Sequence, residues 1–177
     1  MIGDSITSGV GGTGWNDSQS GGGEQIVDFG GGVYVNVQGH CWANTLKAYW
    51  ENKFNCTVKN FVWSGATSFR LLEYWNQLIH VEDDVIICMI GTNDRGAHED
   101  ITGYIDNLEL IYQKSIQSEK PIVFMSSIPA SVSNETSGNK YFHMEDIEHA
   151  VRYITDLHNF PFVNVYQEFL NYCKVTG

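Results

Sequence analysis

Three short polar motifs contain the residues of this chain that could do chemistry. They read GDSITSG at 3–9, NFVWSGATS at 60–68 and IGTNDR at 90–95. Ser5, in the first motif, becomes a nucleophile if a base takes its proton, and its backbone N–H can help to hold the oxyanion that it creates. Gly65, in the second motif, has no Cβ, so its backbone N–H can approach a substrate oxygen closely. The side-chain amide of Asn93, in the third motif, can donate to the same oxyanion.

Each motif on its own also has an ordinary structural interpretation. A G-D-S tripeptide is often a polar turn in which the aspartate, here Asp4, caps the following helix, and N-D is often an Asx-turn. What favours chemistry is that each motif follows a different predicted strand. The carboxyl ends of parallel strands meet at one edge of a sheet, where open α/β sheets bind their ligands. We therefore expect the three motifs to converge at one site.

The elements that must position these motifs follow from the hydrophobic pattern. Short apolar runs alternate with longer amphipathic runs, which is typical of βαβ units around a parallel sheet. Strands are predicted at 1–2, 58–62, 84–90, 121–126 and 162–166, and helices at 41–52, 69–78, 100–118 and 144–158. The run VIICMI at 85–90 is nearly all apolar and predicts a strand buried on both faces. The chain is expected to be one α/β domain over residues 1–177, with a five-stranded parallel sheet.

Residues 10–37 interrupt this pattern because they are rich in glycine, serine and asparagine and lack helical periodicity. A flexible linker is one interpretation. The aromatic residues Trp15, Phe29 and Tyr34 could anchor the segment, which favours an ordered loop or hairpin at the rim of the site.

The motif GDSITSG, the N-x-x-x-x-G formed by Asn60 and Gly65, and GTND together resemble the first three sequence blocks of the SGNH (GDSL-type) serine hydrolases. The order matches that family over nearly the whole chain. The resemblance implies a flavodoxin-like three-layer α/β/α sandwich, with Ser5 as the nucleophile. It also implies an oxyanion hole made of the N–H groups of Ser5 and Gly65 and the amide of Asn93. The implied activity is a serine esterase or acylhydrolase that needs no metal and no other cofactor.

The fourth block of that family is D-x-x-H, whose histidine is the general base, and it is expected after the fifth strand. Residues 167–177 contain no histidine, and only two residues precede Gly3 where a strand is expected. We expect the chain to be a piece of a longer protein, incomplete at both ends. Asp146 and His149 have the D-x-x-H spacing, but they precede the fifth strand in a helical pattern, where residues i and i+3 are neighbours anyway. A solvated pair is favoured there.

Two further residues are predicted to contact substrate. Asp4 is adjacent to Ser5, and His143 follows the loop at 130–141 that leaves the carboxyl end of the fourth strand. The glycine-rich segment and the aromatic residues Trp15, Trp63 and Tyr34 would suit a sugar ring. An O-acetyl group on carbohydrate is therefore the preferred substrate, because these rings supply a surface for it.

Two other functions are compatible with the sequence. The chain could be a catalytically inactive carbohydrate-binding or adhesion module of a larger surface or phage-tail-like protein, which the missing histidine would favour. It could also be a flavodoxin-like binder of a nucleotide or flavin, although it lacks the phosphate-cradling motif G-x-x-x-x-G-K-[ST].

Composition excludes some partners. The formal net charge of -11, with ten lysines and arginines that form no basic cluster, argues against nucleic acid as a partner. No run approaches the roughly 20 apolar residues of a membrane helix, and no signal peptide is recognisable. Localisation is left open, and would be extracellular if the parent protein were secreted or part of a phage tail. The cysteines are widely spaced without a C-x-x-C pair; Cys88 is predicted to lie in the core, and a disulfide is left open.

Overall fold

The computed structural model describes residues 1–10, 24–27, 33–35, 41–136 and 138–176. The chain divides into two compact units: Met1–Ala66 with Asn76–Leu78, and Thr67–Trp75 with Ile79–Gly177. The single domain expected over residues 1–177 stays a prediction.

The first unit contains a sheet with the strand order β2-β3-β4-β1. Its strands are β1 (Ile2–Gly3), β2 (Glu24–Val27), β3 (Val33–Val35) and β4 (Phe61–Val62). β1 and β4 run parallel, with Ile2 opposite Phe61 and Gly3 opposite Val62. Since Ile2, Phe61 and Val62 are buried, this parallel pair lies in the core of the unit.

The described part of the glycine-rich segment forms a hairpin. β2 and β3 pair antiparallel, with a register irregularity between Gln25 and Val27, and β3 pairs antiparallel with β4. For these residues the hairpin interpretation is confirmed over the flexible linker. That the hairpin joins the sheet was not predicted. Trp15 and Phe29 lie outside the described residues.

Two helices complete the first unit, α1 (Ser5–Ser8) and α2 (Trp42–Phe54). α1 ends at Gly9 and α2 at Asn55, both in the left-handed conformation, with φ of 75° and 49°. Glycine and asparagine are the residues that adopt this conformation most readily, so both helices end where the sequence allows it.

The second unit contains a parallel sheet with the strand order β5-β6-β7. The strands are β5 (Ile86–Met89), β6 (Ile122–Met125) and β7 (Phe162–Val163). All four residues of β5 are buried, which confirms the strand buried on both faces that was predicted from the run VIICMI. Cys88 lies in this strand and is 0% exposed, as predicted.

The helices of the second unit are α3 (Ser68–Glu73), α5 (Ile101–Gln117), α6 (Val132–Glu135), α7 (Met144–His158) and α8 (Val165–Thr176). A short helix α4 (Trp75–Leu78) follows α3, so the predicted helix at 69–78 is interrupted at Tyr74. α5 and α7 pack against each other, and the buried side chains Leu108 and Ile111 of α5 and Ile147 and Val151 of α7 belong to the core.

The fifth predicted strand, at 162–166, is shorter than expected. β7 ends at Val163, and α8 begins at Val165. Asn164 accounts for the change because its side-chain oxygen accepts a hydrogen bond from Gln167 N at 3.0 Å, which caps the new helix.

Among the described residues, no helix has the length and apolar character that crossing a bilayer requires. The same residues contain no group of three or more His, Cys, Asp or Glu side chains that could hold a metal ion. All four cysteines are described, and none forms a disulfide.

Candidate active site

Ser5 is the first residue of α1, and only Asp4 separates it from β1. Its side chain is half-buried. Asp4 caps the helix, because its Oδ1 accepts a hydrogen bond from Ile6 N at 2.9 Å, and it is only 1% exposed. Ser8 Oγ donates to the carbonyl oxygen of Ser5 at 3.0 Å. These contacts hold the backbone on which Ser5 lies, and direct contact of Asp4 with substrate stays a prediction.

Gly65 lies in the turn that follows β4, with φ of +79°. The residue is exposed, and apart from its chain neighbours no described atom lies within 4 Å of the position that a Cβ would occupy. A left-handed φ strains any residue that has a Cβ, so glycine suits this turn. Just before the turn, Trp63 is 4% exposed and therefore offers little ring surface to a sugar.

Asn60, the other residue of the N-x-x-x-x-G motif, is 1% exposed. Its Nδ2 donates to Asn44 Oδ1 on α2 at 3.0 Å. Asn60 thus connects the start of β4 to a helix of the same unit.

Asn93 follows β5 and precedes a short 3-10 turn, Asp94–Gly96. It is half-buried, and its carbonyl oxygen accepts a hydrogen bond from Gly96 N at 3.1 Å. Ser5 and Gly65 thus follow the neighbouring parallel strands β1 and β4 of the first unit, and Asn93 follows β5 of the second. Each motif lies at the carboxyl end of a parallel strand, as the sequence predicted.

Asp94 and Ser68 lie within the quoted motifs, but no role was predicted for either residue. Both are 0% exposed. Ser68 N lies 3.1 Å from each carboxylate oxygen of Asp94, and Ser68 Oγ donates to Asp94 Oδ1. Burial raises the pKa of the Asp94 carboxyl above its ordinary value of 3.8, and the hydrogen bonds from Ser68 and the nearby His98 oppose that rise. The only signal in the sequence was the presence of these polar residues beside Asn93 and after Gly65.

A second cluster that the sequence analysis did not foresee surrounds Arg95, whose side chain is 1% exposed. Its Nη1 lies 2.9 Å from Glu135 Oε2, and its Nη2 donates to Asn134 Oδ1 at 2.7 Å. His143 Nδ1 lies 3.1 Å from the same Glu135 oxygen. The predicted substrate residue His143 therefore lies beside an ion pair between the buried Arg95 and the half-buried Glu135.

His143 is the residue that precedes α7, and its imidazole is 64% exposed. Asp146 Oδ2 accepts a hydrogen bond from His143 N at 2.7 Å, which caps α7. His149 lies on the same helix, 65% exposed, with Nε2 3.6 Å from Glu148 Oε2. His149 is thus exposed and lies near Glu148, while Asp146 caps the helix, so a pair between Asp146 and His149 stays a prediction.

Comparison with solved structures shows the fold. The chain is similar to an α/β hydrolase enzyme from the metagenome of Lake Arreo, Spain, with a TM-score of 0.70 and 21% identity, covering 98% of this chain and 78% of that one. It is also similar to an acetylxylan esterase from Geobacillus stearothermophilus, with a TM-score of 0.66, 21% identity and the same coverage. Other solved forms of that esterase are described as catalytic mutants, in which a serine, a histidine or an aspartate is replaced by alanine.

These likenesses confirm the predicted fold class, an α/β/α sandwich built on five parallel strands. In this chain the strands that pair in parallel are β1, β4, β5, β6 and β7. No curated protein matches the chain. The model of the GDSL-like lipase/acylhydrolase family matches residues 1–173. The chain therefore belongs to the GDSL-like lipase/acylhydrolase family.

Proposed function

We propose that this chain is a serine esterase or acylhydrolase in which Ser5 attacks the carbonyl carbon of an acyl ester. The Ser5 Oγ–H proton passes to a base from solution as the bond between Ser5 Oγ and that carbon forms. The tetrahedral intermediate then collapses: the ester C–O bond breaks, and the alcohol leaves with that proton. Water attacks the resulting acyl-enzyme, releasing the acid and restoring the serine. The backbone N–H groups of Ser5 and Gly65 and the amide of Asn93 donate to the oxyanion. These steps use no metal and no other cofactor.

The observation that carries the proposal is the position of Ser5 and Gly65 after the parallel strands β1 and β4, in a chain of this family. Acyl transfer requires a nucleophile and a donor for the oxyanion; a serine at the start of a helix and a glycine without a Cβ suit these roles. Asn93 is assigned to the same oxyanion hole because of its place in the GTND motif of the family. Asp4 is assigned to hold Ser5 in place beside the substrate.

The preferred substrate is an acetyl ester on a carbohydrate. Support comes from the likeness to an acetylxylan esterase and from the exposed imidazole of His143, which follows the carboxyl end of β6 along the chain. An imidazole can donate to or accept from a sugar hydroxyl. In this proposal His143 contacts the substrate and not the reacting carbonyl.

The test is hydrolysis of p-nitrophenyl acetate, followed by release of acetate from acetylated xylo-oligosaccharides. Ser5→Ala is compared with Ser133→Ala, which removes the hydroxyl of an exposed serine on α6. Because the proposal assigns no histidine of this chain as the general base, each measurement is repeated with added imidazole, which can accept the serine proton. Background hydrolysis by imidazole itself is measured without protein and subtracted.

We expect hydrolysis that is lost in Ser5→Ala and kept in Ser133→Ala. Turnover that survives in Ser5→Ala would show that another group attacks the ester. A native chain with no turnover in any condition, but with affinity for acetylated xylo-oligosaccharides, would favour the non-catalytic carbohydrate-binding module.

A further inference from the structure

Asn93 is followed in the sequence by two charged residues that are both buried. Asp94 is 0% exposed and Arg95 is 1% exposed. Removing a charge from water is costly unless hydrogen bonds or an opposite charge compensate it. Each of the two residues must therefore be held by partners, and those partners determine where the turn after Asn93 lies.

Asp94 is held by the first residue of α3. Ser68 donates its backbone N–H to the carboxylate at 3.1 Å and its hydroxyl hydrogen to Oδ1. Asn107 Nδ2 donates to Ser68 Oγ at 2.9 Å, so the oxygen of that hydroxyl is already an acceptor and its hydrogen is directed to Asp94. The arrangement attaches the turn at 94–96 to the start of α3, and Ser68 follows Gly65 by only three residues along the chain.

Arg95 is held from a different segment of the same unit. Its guanidinium is 2.9 Å from Glu135 Oε2 and donates to Asn134 at the end of α6. Its carbonyl oxygen accepts a hydrogen bond from Tyr141 N at 2.9 Å. The turn that begins at Asn93 is thus attached on one side to α3 and on the other to the segment around α6.

A second catalytic triad is the obvious alternative interpretation of Ser68, Asp94 and His98. Two observations oppose it. Ser68 is 0% exposed, so no ester reaches its hydroxyl, and that hydroxyl donates to the carboxylate and not to an imidazole. His98 Nε2 lies 3.4 Å from Asp94 Oδ1 and 3.4 Å from Asn107 Nδ2, at the edge of the cluster. The cluster is organised to hold a backbone turn.

We propose that Asp94 and Ser68 are positioning residues of the hydrolase, which hold the turn after Asn93 so that its side-chain amide is preorganised for the oxyanion. This inference rests on the proposed function. An oxyanion donor acts through preorganisation, and loss of one such donor typically lowers kcat by about 10²–10³-fold. If the backbone that carries such a donor becomes more mobile, kcat should fall by part of that factor.

The first test measures amide hydrogen exchange in the native chain and in Ser68→Ala, with Ser115→Ala as the matched control. Ser115 is also 0% exposed, but its hydroxyl donates to a neutral carbonyl, that of Tyr112, on α5. Four amides report on the turn because their hydrogen bonds lie within it: those of residues 94, 96, 97 and 98. In Ser68→Ala we expect these amides to exchange roughly tenfold faster or more, with a smaller effect on the β5 amides, because local opening becomes easier. Ser115→Ala should not accelerate the exchange of these four amides selectively.

The second test measures kcat and KM for p-nitrophenyl acetate in Ser68→Ala, Asp94→Asn and Ser115→Ala, at a temperature where all are folded by near-ultraviolet circular dichroism. We expect kcat to fall by about 10–100-fold in the first two variants, with KM changed much less. Ser115→Ala should keep its kcat.

The positioning role is overturned if the turn amides of Ser68→Ala keep their native exchange rates, whatever the kinetics show. It is also overturned if kcat in Ser68→Ala falls no further than in Ser115→Ala. Failure of the proposed function would look different. Hydrolysis would then be unaffected by Ser5→Ala, while the turn amides of Ser68→Ala would still exchange faster than in the native chain. If Asp94→Asn does not fold, Ser68→Ala alone decides the question.

Discussion

Three glycines of this chain differ in backbone conformation and in the space available for a side chain, so alanine substitutions at them should have graded effects. Gly138 has no φ in the left-handed region, and apart from its chain neighbours no described atom lies within 4 Å of its Cβ position. The Cβ position of Gly65 is equally free of described atoms, but φ is +79°. Gly91 has φ of +130°, and a Cβ there would lie 2.6 Å from the hydroxyl of Tyr104 and 2.9 Å from Ile147 Cγ2.

The magnitudes follow from these differences. Gly138→Ala should change the free energy of unfolding by less than about 1 kcal/mol, with a stabilising sign, because alanine restricts the unfolded chain. Gly65→Ala should cost about 1–2 kcal/mol from backbone strain alone. At Gly91, backbone strain should cost about 1–3 kcal/mol. The new Cβ should also displace Tyr104, whose buried hydroxyl donates to Ile90 O at 2.8 Å. Loss of that hydrogen bond adds about 1–3 kcal/mol, so Gly91→Ala should cost about 2–6 kcal/mol.

Equilibrium unfolding in urea, monitored by circular dichroism and fluorescence, measures the three values. If Gly91→Ala costs no more than Gly65→Ala, the inferred clash with Tyr104 is wrong. The folded variants should rank differently in kcat for ester hydrolysis than in free energy of unfolding. Gly65→Ala places a methyl group beside the N–H assigned to the oxyanion hole, so its kcat should fall further than that of Gly138→Ala. Equal kcat values for these two variants would argue against Gly65 as an oxyanion donor.

Two further predictions concern charged pairs. Although burial opposes it, hydrogen bonds from Gln113 and His158 lower the pKa of Glu109 below its ordinary 4.5. Their stabilising effect is complete above pH 4.5 and is lost as pH falls through the lowered pKa of the folded chain. Urea unfolding at several pH values measures how much lower the free energy of unfolding of Glu109→Gln is than that of the native chain. This difference should shrink on acidification, and a constant difference would contradict the prediction. Arg95→Met should lower the free energy of unfolding by about 1–3 kcal/mol, because the Glu135 carboxylate, 20% exposed, loses its arginine but still accepts from Met144 N. The same substitution at the exposed arginine of α3 should cost less than about 1 kcal/mol, and similar costs at both sites would refute the role of burial.

The pattern of apolar residues predicted the presence of the longer strands and helices better than it predicted their first and last residues. The helix predicted at 144–158 is observed as Met144–His158, and the strand predicted at 84–90 contains β5. Several elements were missed because their signals are weak. α1 and α6 have four residues each, too few to show a helical period, and the strands β2 and β3 lie in a glycine-rich segment. α8 was missed because its start overlaps the residues expected to continue the last strand.

The candidate site was predictable as far as motifs can show it. Ser5, Gly65 and Asn93 each follow a parallel strand, and the proposed chemistry rests on their residue types. The capping role of Asp4 was also recognisable, since aspartate before a helix often accepts a hydrogen bond from the backbone. His143 was placed correctly in the loop before α7, but its contact with Glu135 was not foreseen. No motif connects these two residues.

The amino-acid sequence alone determined the order of the longer helices and of the five parallel strands, and the placement of the three motifs at strand ends. Both depend on local periodicity and turn chemistry. The partners of the buried charged side chains could be identified only from the folded structure. Ser68 and Asp94 are 26 residues apart, and Arg95 and Glu135 are 40 apart. Such pairs form only where packing excludes water and brings distant segments together, since burial makes an uncompensated charge costly. The tertiary structure therefore decided how the turn after Asn93 is held.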